Sequence, residues 1–78
     1  MKKSLDSLRI GEKGTIVSIG SFGAVRRHII DMGITPDAQV VMKRAAPLGD
    51  PIEINVRGYG LSLRKSEAKK IIVEVNDI

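Results

Sequence analysis

The chain has 78 residues and no cysteine, and its 13 basic and 9 acidic residues give a formal net charge of +4. A chain of this length supports one small domain, which we expect to span residues 1–78, and it is too small to enclose a deep catalytic cleft. The lack of cysteine excludes the disulfide framework that small secreted domains need, and the mild positive charge does not by itself indicate nucleic-acid binding.

The start of the chain shows no targeting signal, because Lys2 and Lys3 are followed by Ser4-Leu5-Asp6-Ser7 and not by an apolar run. No stretch of the sequence is long and apolar enough to cross a bilayer. We therefore expect a cytoplasmic protein without membrane insertion.

The first part of the chain predicts a turn and a strand. Leu5, Leu8 and Ile10 are expected to form an apolar patch on a short turn that closes one end of the core. Thr15–Ile19 is rich in β-branched residues, which favours a strand, and the glycines of Gly20–Gly23 end it.

The next segment predicts the one helix of the fold, over about Ala24–Met32. Val25, Ile29 and Met32 recur at positions i, i+4 and i+7, which is one face of a helix. Gly33 then fits the left-handed position that follows a helix end. The helix is therefore predicted as an insertion after the first strand.

The rest of the chain predicts further strands joined by short turns. Ile52–Arg57 shows the clearest pattern, since its apolar and polar residues alternate and one face is therefore buried. Ser66–Ala68 is expected to form a short helical turn before the last strand, with Ser66 as its N-cap. The other predicted strands are Gln39–Ala45, Leu61–Arg64 and Ile71–Val75. The whole pattern predicts a mainly β fold, a small closed barrel of five strands, since closure removes exposed sheet edges.

The most constrained segment of the sequence is Pro47-Leu48-Gly49-Asp50-Pro51, between two predicted strands. Proline fixes φ, glycine allows a positive φ and aspartate bonds to its own backbone, so the segment forms a rigid turn. It contains no nucleophile, histidine or cysteine. We therefore predict a partner-binding loop in which Leu48 is an exposed apolar tip and Asp50 lies beside it.

Four further side chains complete the candidate partner-binding set: Tyr59, Arg26, Arg27 and Arg64. Tyr59 lies between two glycines and is expected to cover the end of the barrel, with its ring packed and its hydroxyl in water, since tyrosine is common at interfaces. The arginines are expected on solvated faces, where their charge can steer the protein toward an acidic surface of a partner.

His28 and Asp31 are the candidate metal ligands, since they lie three residues apart on the predicted helix. A metal site needs three or four ligands, and the other acidic residues lie far away in sequence. We therefore expect no resident metal and no cofactor. A divalent ion shared between copies of the chain is the alternative.

An enzyme is not expected, because the chain lacks cysteine, an oriented histidine near a serine, and a phosphate-binding loop. A nucleic-acid-binding barrel is the main alternative function, which a small basic barrel would suit. Its two aromatic residues, Phe22 and Tyr59, are too few to stack several bases, so no nucleic acid is expected as a partner.

In the order of its motifs the chain resembles the FeoA family, small cytosolic components of bacterial ferrous iron transport. The resemblance extends from about Leu8 to Val75. One departure is Asp37, since a glycine after the proline is common in the family. The matching residues are Leu8-x-x-Gly11-Glu12-x-Gly14, Arg27 through Asp31-Met32-Gly33-Ile34-x-Pro36, Ala46-Pro47-Leu48-Gly49-Asp50-Pro51-Ile52, Gly58-Tyr59-x-Leu61-x-Leu63-Arg64-Lys65-x-Glu67-Ala68 and Ile71-x-Val73.

The resemblance implies an SH3-like barrel, a fold also found at the C-terminus of iron-dependent repressors. It further implies an accessory role, in which the protein binds and regulates a membrane ferrous iron transporter that carries a cytosolic GTPase domain. A stand-alone regulatory domain related to the repressors is the alternative that the resemblance leaves open. We expect a monomer or a weak dimer.

Overall fold

Six β-strands and two short α-helices make up the fold in a computed structural model that describes residues 1–76. The strands are β1 (Lys2–Ser4), β2 (Lys13–Ile19), β3 (Gln39–Ala45), β4 (Ile52–Val56), β5 (Tyr59–Leu63) and β6 (Ile71–Glu74). The helices are α1 (Gly23–Asp31) and α2 (Lys65–Ala68), and a single 3-10 turn covers Leu5–Ser7. Within residues 1–76, neither helix reaches the length and apolar character of a bilayer span.

The mainly β class is confirmed, but the prediction of five strands is wrong by one. The additional strand, β1, consists of two lysines and a serine, so neither β-branched residues nor alternation marked it. It pairs antiparallel with β6, with Lys2 opposite Glu74 and Ser4 opposite Ile72. This strand therefore forms through backbone hydrogen bonds to an existing sheet edge, and its side chains do not indicate a strand in the sequence.

The strands form one antiparallel sheet in the order β1-β6-β2-β3-β4-β5. Within the described residues β1 and β5 end the sheet and do not pair with each other, so its hydrogen-bonded order is open. Irregularities in register fall at Val17 in β2 and at Lys43 in β3. A bulge of this kind bends the strand and increases its twist, which lets the sheet curl around a core.

The core is aliphatic and lies inside the curl of the sheet. In β4 the residues Ile52, Ile54 and Val56 are buried and alternate with half-buried polar ones, as the sequence predicted. Three of the positions expected to be buried are exposed: Val17, which lies at the bulge, Ile10, which is 71% exposed, and Val25 of α1. The buried set is Leu5, Leu8, Ile16, Ile29, Ile34, Ala38, Val40, Met42, Ile52, Ile54, Val56, Leu63, Ala68, Ile71, Val73 and Val75.

Helix α1 begins at Gly23 and ends at Asp31, so each end lies one residue before the prediction of Ala24–Met32. Of its nine residues only Ile29 is buried, and Val25, which lies one turn earlier on the same face, is 48% exposed. The N-terminal half of the helix therefore extends beyond the core and leaves its inward face open to solvent.

The C-terminal end of α1 is fixed by a complete Schellman motif. The backbone N–H of Ile34 donates to the carbonyl of Ile29 at 3.3 Å, and the N–H of Gly33 donates to the carbonyl of Ile30 at 2.9 Å. Gly33 has the expected positive φ of 93°, and both Ile29 and Ile34 are fully buried. A Cβ atom on Gly33 would lie 2.8 Å from the hydroxyl oxygen of Tyr59. The helix end and the first residue of β5 therefore touch.

Helix α2 begins at Lys65, so Arg64 is its N-cap and the prediction of Ser66 at that position is wrong. The backbone N–H of Arg64 donates to Oε1 of Glu67 at 3.0 Å, which is the glutamate half of a capping box. This contact fixes where the chain leaves β5 and turns toward β6.

Replacing Gly33 with alanine should lower the free energy of unfolding by about 1–2 kcal/mol, because an alanine with positive φ is strained and its Cβ displaces the Tyr59 hydroxyl. Urea unfolding followed by circular dichroism measures the loss. In a Tyr59→Phe background, which removes the oxygen, the loss should be smaller but still present. Equal stability of Gly33→Ala and wild type would contradict this account of the helix end.

Candidate docking surface

A groove of about 440 Å³ lies where α1, α2, β5 and the loop between β3 and β4 meet. We call residues 46–51 the proline loop. The groove is lined by His28 of α1, Asp50 and Pro51 of the proline loop, Ser62, Leu63 and Arg64 at the end of β5, and Glu67 of α2. It therefore joins segments that lie far apart in the sequence.

The proline loop is closed by two backbone hydrogen bonds. The N–H of Ala46 donates to the carbonyl of Pro51 at 3.0 Å, and the N–H of Gly49 donates to the carbonyl of Ala46 at 2.7 Å. Gly49 has a φ of 82°, which a glycine adopts without strain. Leu48 stands at the tip with 95% of its surface exposed. The structure thus places an apolar side chain in water on a tightly closed turn.

Asp50 ties the proline loop to α2. Its Oδ1 accepts a hydrogen bond from the backbone N–H of Lys65 at 2.9 Å, at the first residue of that helix. The N–H groups of a first helical turn have no partner within the helix, so this carboxylate satisfies one of them. Asp50 therefore has a structural partner inside the chain in addition to its place on the groove wall.

Tyr59 is the first residue of β5 and not part of the turn before it. The turn residues are Arg57 and Gly58, with φ values of 51° and 93°, which is the type I′ turn of a tight hairpin. The Tyr59 side chain is 51% exposed and its hydroxyl lies against Gly33. It is therefore located beside the end of α1.

The arginines divide into paired and unpaired side chains. Arg44 bonds Glu53 through Nε at 2.6 Å and through Nη2 at 3.2 Å, and this hydrogen bonding lowers the pKa of the Glu53 carboxyl. Within the described part of the chain, the exposed side chains of Arg26, Arg27 and Arg64 form no ion pair. Three of the predicted partner-binding residues are therefore cations whose charge is available to a partner.

His28 and Asp31, the candidate metal ligands, are both exposed on α1, and of the two only His28 lines the groove. Across residues 1–76, no group of three or more histidine, aspartate or glutamate side chains is placed so that it could hold a metal ion.

Phe22 and Val25 are exposed apolar residues at the start of α1 that were not predicted as binding residues. Phe22 is 87% exposed directly before α1, and Val25 follows it one turn later. The sequence feature that could have indicated Phe22 is the scarcity of aromatic residues. Phe22 is one of only two in the chain, and it lies between glycines at 20 and 23. With Leu48 and Tyr59, these residues make up most of the large apolar side chains that the structure exposes.

Comparison with protein families gives a match that spans most of the chain. The FeoA domain family matches residues 3–75. A curated relative from Porphyromonas gingivalis, the Fe(2+) transport protein A/Fe(2+) transporter FeoB fusion protein, is 34% identical over 71 residues. That alignment covers 91% of this chain but only 8% of the relative, so this chain corresponds to a small part of the fusion protein.

Solved structures show the same fold. The FeoA-like protein from Clostridium acetobutylicum has a TM-score of 0.86 and 46% identity, over 95% of this chain and 86% of that one. The zinc complex of FeoA from Stenotrophomonas maltophilia, described as a prokaryotic SH3 domain protein, has a TM-score of 0.79 and 25% identity, over 91% of this chain and 88% of that one. The predicted SH3-like class is therefore confirmed.

Replacing Asp50 with alanine should cost about 1 kcal/mol of unfolding free energy, because the Lys65 N–H loses its acceptor. Amide hydrogen exchange of Lys65 should accelerate as the proline loop separates from α2. Asp50→Asn keeps an oxygen acceptor and serves as the control, with a smaller effect on both measurements. An unchanged exchange rate in Asp50→Ala would show that this hydrogen bond does not hold the loop.

Proposed function

Because the chain belongs to the FeoA family, we propose that it is a non-enzymatic cytoplasmic adaptor of ferrous iron uptake, and that it binds the cytosolic GTPase-bearing part of a membrane ferrous iron transporter. Family membership and the fused relative support a role in ferrous iron transport. The proposal adds to this role a direct contact between the chain and the transporter.

The fused relative supports that contact. Its name combines a transport protein A with an Fe(2+) transporter in one chain. Joining two parts in one polypeptide raises the effective concentration of one near the other without any new contact between them. Where the two parts are separate chains, an adaptor needs an interface of its own to stay bound. We propose that the proline loop, the start of α1 and the β5 residues beside the groove form this docking surface.

The exposed Leu48 on its closed turn is the observation that carries the proposal. An apolar side chain costs little conformational entropy on binding when its loop is already held, so a preorganised loop favours affinity. The exposed Phe22 and Val25 at the start of α1 add apolar area. Arg26, Arg27 and Arg64 add positive charge that has no ion-pair partner among residues 1–76, and such charge accelerates association with an acidic surface.

An adaptor of this kind acts on transport through binding alone. A partner shifts a conformational equilibrium only by the difference between its affinities for the two conformations. The proposed adaptor therefore regulates the transporter if it binds one nucleotide state of the GTPase domain more tightly than the other.

Leu48→Asp should weaken binding to the transporter by at least about 2 kcal/mol, the size of an interface hot spot, since a charge replaces the apolar tip. Calorimetric titration of the GTPase domain, and a pull-down of the full-length transporter, measure the loss with GDP and with a non-hydrolysable GTP analogue. The fold should be unchanged, because the side chain contributes nothing to the core.

Ile10→Asp is the matched control, since Ile10 is also an exposed aliphatic residue but lies between the 3-10 turn and β2, outside the proline loop, α1 and β5. It should bind like the wild type. Equal affinity of Leu48→Asp and wild type would remove Leu48 from the interface. Failure of the wild-type chain to bind either the domain or the intact transporter would contradict the adaptor proposal itself.

A further inference from the structure

The two edges of the open sheet differ in how they are protected. Strand β1 is only three residues long and carries Lys2 and Lys3, and short, lysine-bearing edges discourage pairing with other chains. Strand β5 is longer, and its sequence Tyr-Gly-Leu-Ser-Leu contains neither a charge nor a proline. The β5 edge therefore lacks the sequence devices that normally block the addition of another strand.

The hairpin geometry shows which groups point outward from β5. The type I′ turn joins Val56 directly to Tyr59, so this closing pair is hydrogen-bonded. Bonded and non-bonded residues alternate along an antiparallel strand, and Leu61 and Leu63 therefore also bond toward β4. The N–H and carbonyl groups of Gly60 and Ser62 point to the open edge. Both residues are exposed, and within the described residues these groups have no backbone partner.

Space for an added strand lies beside this edge. The groove of about 440 Å³ is lined by Ser62 and Arg64 at the end of β5 and by His28 of α1, so the helix contributes to its wall. Gly60 and Ser62 also line a second groove of about 310 Å³, together with residues of β3 and β4. An added strand would lie about 4.8 Å from β5. A second copy would bring a whole sheet toward α1, so a single strand fits better.

The charges around the groove indicate what kind of strand it accepts. Arg64 lines the groove, and Arg26 and Arg27 lie on the helix that forms its wall, all without ion pairs in the described structure. The two carboxylates on the groove wall, Asp50 and Glu67, already accept hydrogen bonds from backbone N–H groups. Within the described residues, the guanidinium groups of Arg26, Arg27 and Arg64 are therefore the charged groups around this groove that have neither a hydrogen bond nor an ion pair.

We infer that the free edge of β5 binds an extended acidic segment of a partner protein by strand addition, with Gly60 and Ser62 supplying backbone hydrogen bonds and the arginines pairing with acidic side chains. The inference deepens the proposed adaptor function and rests on it for the identity of the partner. Its test uses the isolated chain and synthetic peptides, so its failure leaves transporter binding through Leu48 untouched.

Amide hydrogen exchange on the wild-type chain tests the inference directly. The probe is a blocked octapeptide in which glutamate alternates with valine and threonine, and the control peptide has lysine at each glutamate. In the free chain the Gly60 and Ser62 amides should exchange faster than those of Leu61 and Leu63. A saturating amount of the glutamate peptide should slow Gly60 and Ser62 by about tenfold or more, and the lysine peptide should not.

Ser62→Pro supplies the matched variant, because it removes only the outward N–H and a proline is tolerated on a sheet edge. It should weaken binding of the glutamate peptide about fivefold or more, the loss for one backbone hydrogen bond, whereas Ser62→Thr should bind like the wild type. An amide spectrum of the variant checks its fold. If the proline variant does not fold, the hydrogen-exchange experiment on the wild-type chain is the deciding test.

Three results would overturn the inference. The first is that the glutamate peptide does not bind, and the second is that it binds without protecting Gly60 and Ser62. The third is that these amides become protected without peptide as the protein concentration rises, which would assign the edge to a second copy of the chain.

Discussion

The size of the chain is the constraint on which the rest of the structure depends. With 78 residues, one face of nearly every strand is needed to bury the aliphatic core, and the buried set includes residues from β2 to β6. The surfaces proposed for recognition therefore lie in parts of the chain that the core does not use. These are the proline loop, the free edge of β5 and the N-terminal half of α1, which precedes Ile29.

These peripheral parts are held in place by a few directed contacts. The Asp50 carboxylate joins the proline loop to the first N–H of α2, Glu67 caps the same helix, and the Tyr59 hydroxyl meets the end of α1 at Gly33. Each contact is a hydrogen bond or a close approach at the rim of the core, so none of them uses the apolar surface that the core buries. Leu48 is thus presented in water by a loop whose two ends are both fixed.

The sequence predicted the features that local chemistry determines. The alternation of Ile52, Ile54 and Val56 gave the clearest strand, and Gly33 with Ile34 correctly marked the end of the helix. The loop tip at Leu48 was likewise visible, because proline and glycine restrict that segment whatever surrounds it.

What could not be predicted depends on distant contacts. Strand β1 exists only because an edge of β6 is available to it, and the bulge at Val17 places an apolar residue in solvent. The exposure of Val25 follows from where the core ends and not from the helix pattern itself. The hydrogen bond from Lys65 to Asp50 joins residues 15 positions apart, so no local motif could show that the predicted binding residue also has a structural partner.

Chemical-shift mapping of the isotope-labelled chain during titration with the transporter's cytosolic GTPase domain tests the central claim most directly. The account predicts that the perturbed amides cluster in residues 22–28, 46–51 and 59–64. Perturbation confined to the groove near Lys13, Thr15 and Gln39, away from the docking surface, would contradict it, as would a spectrum that does not change.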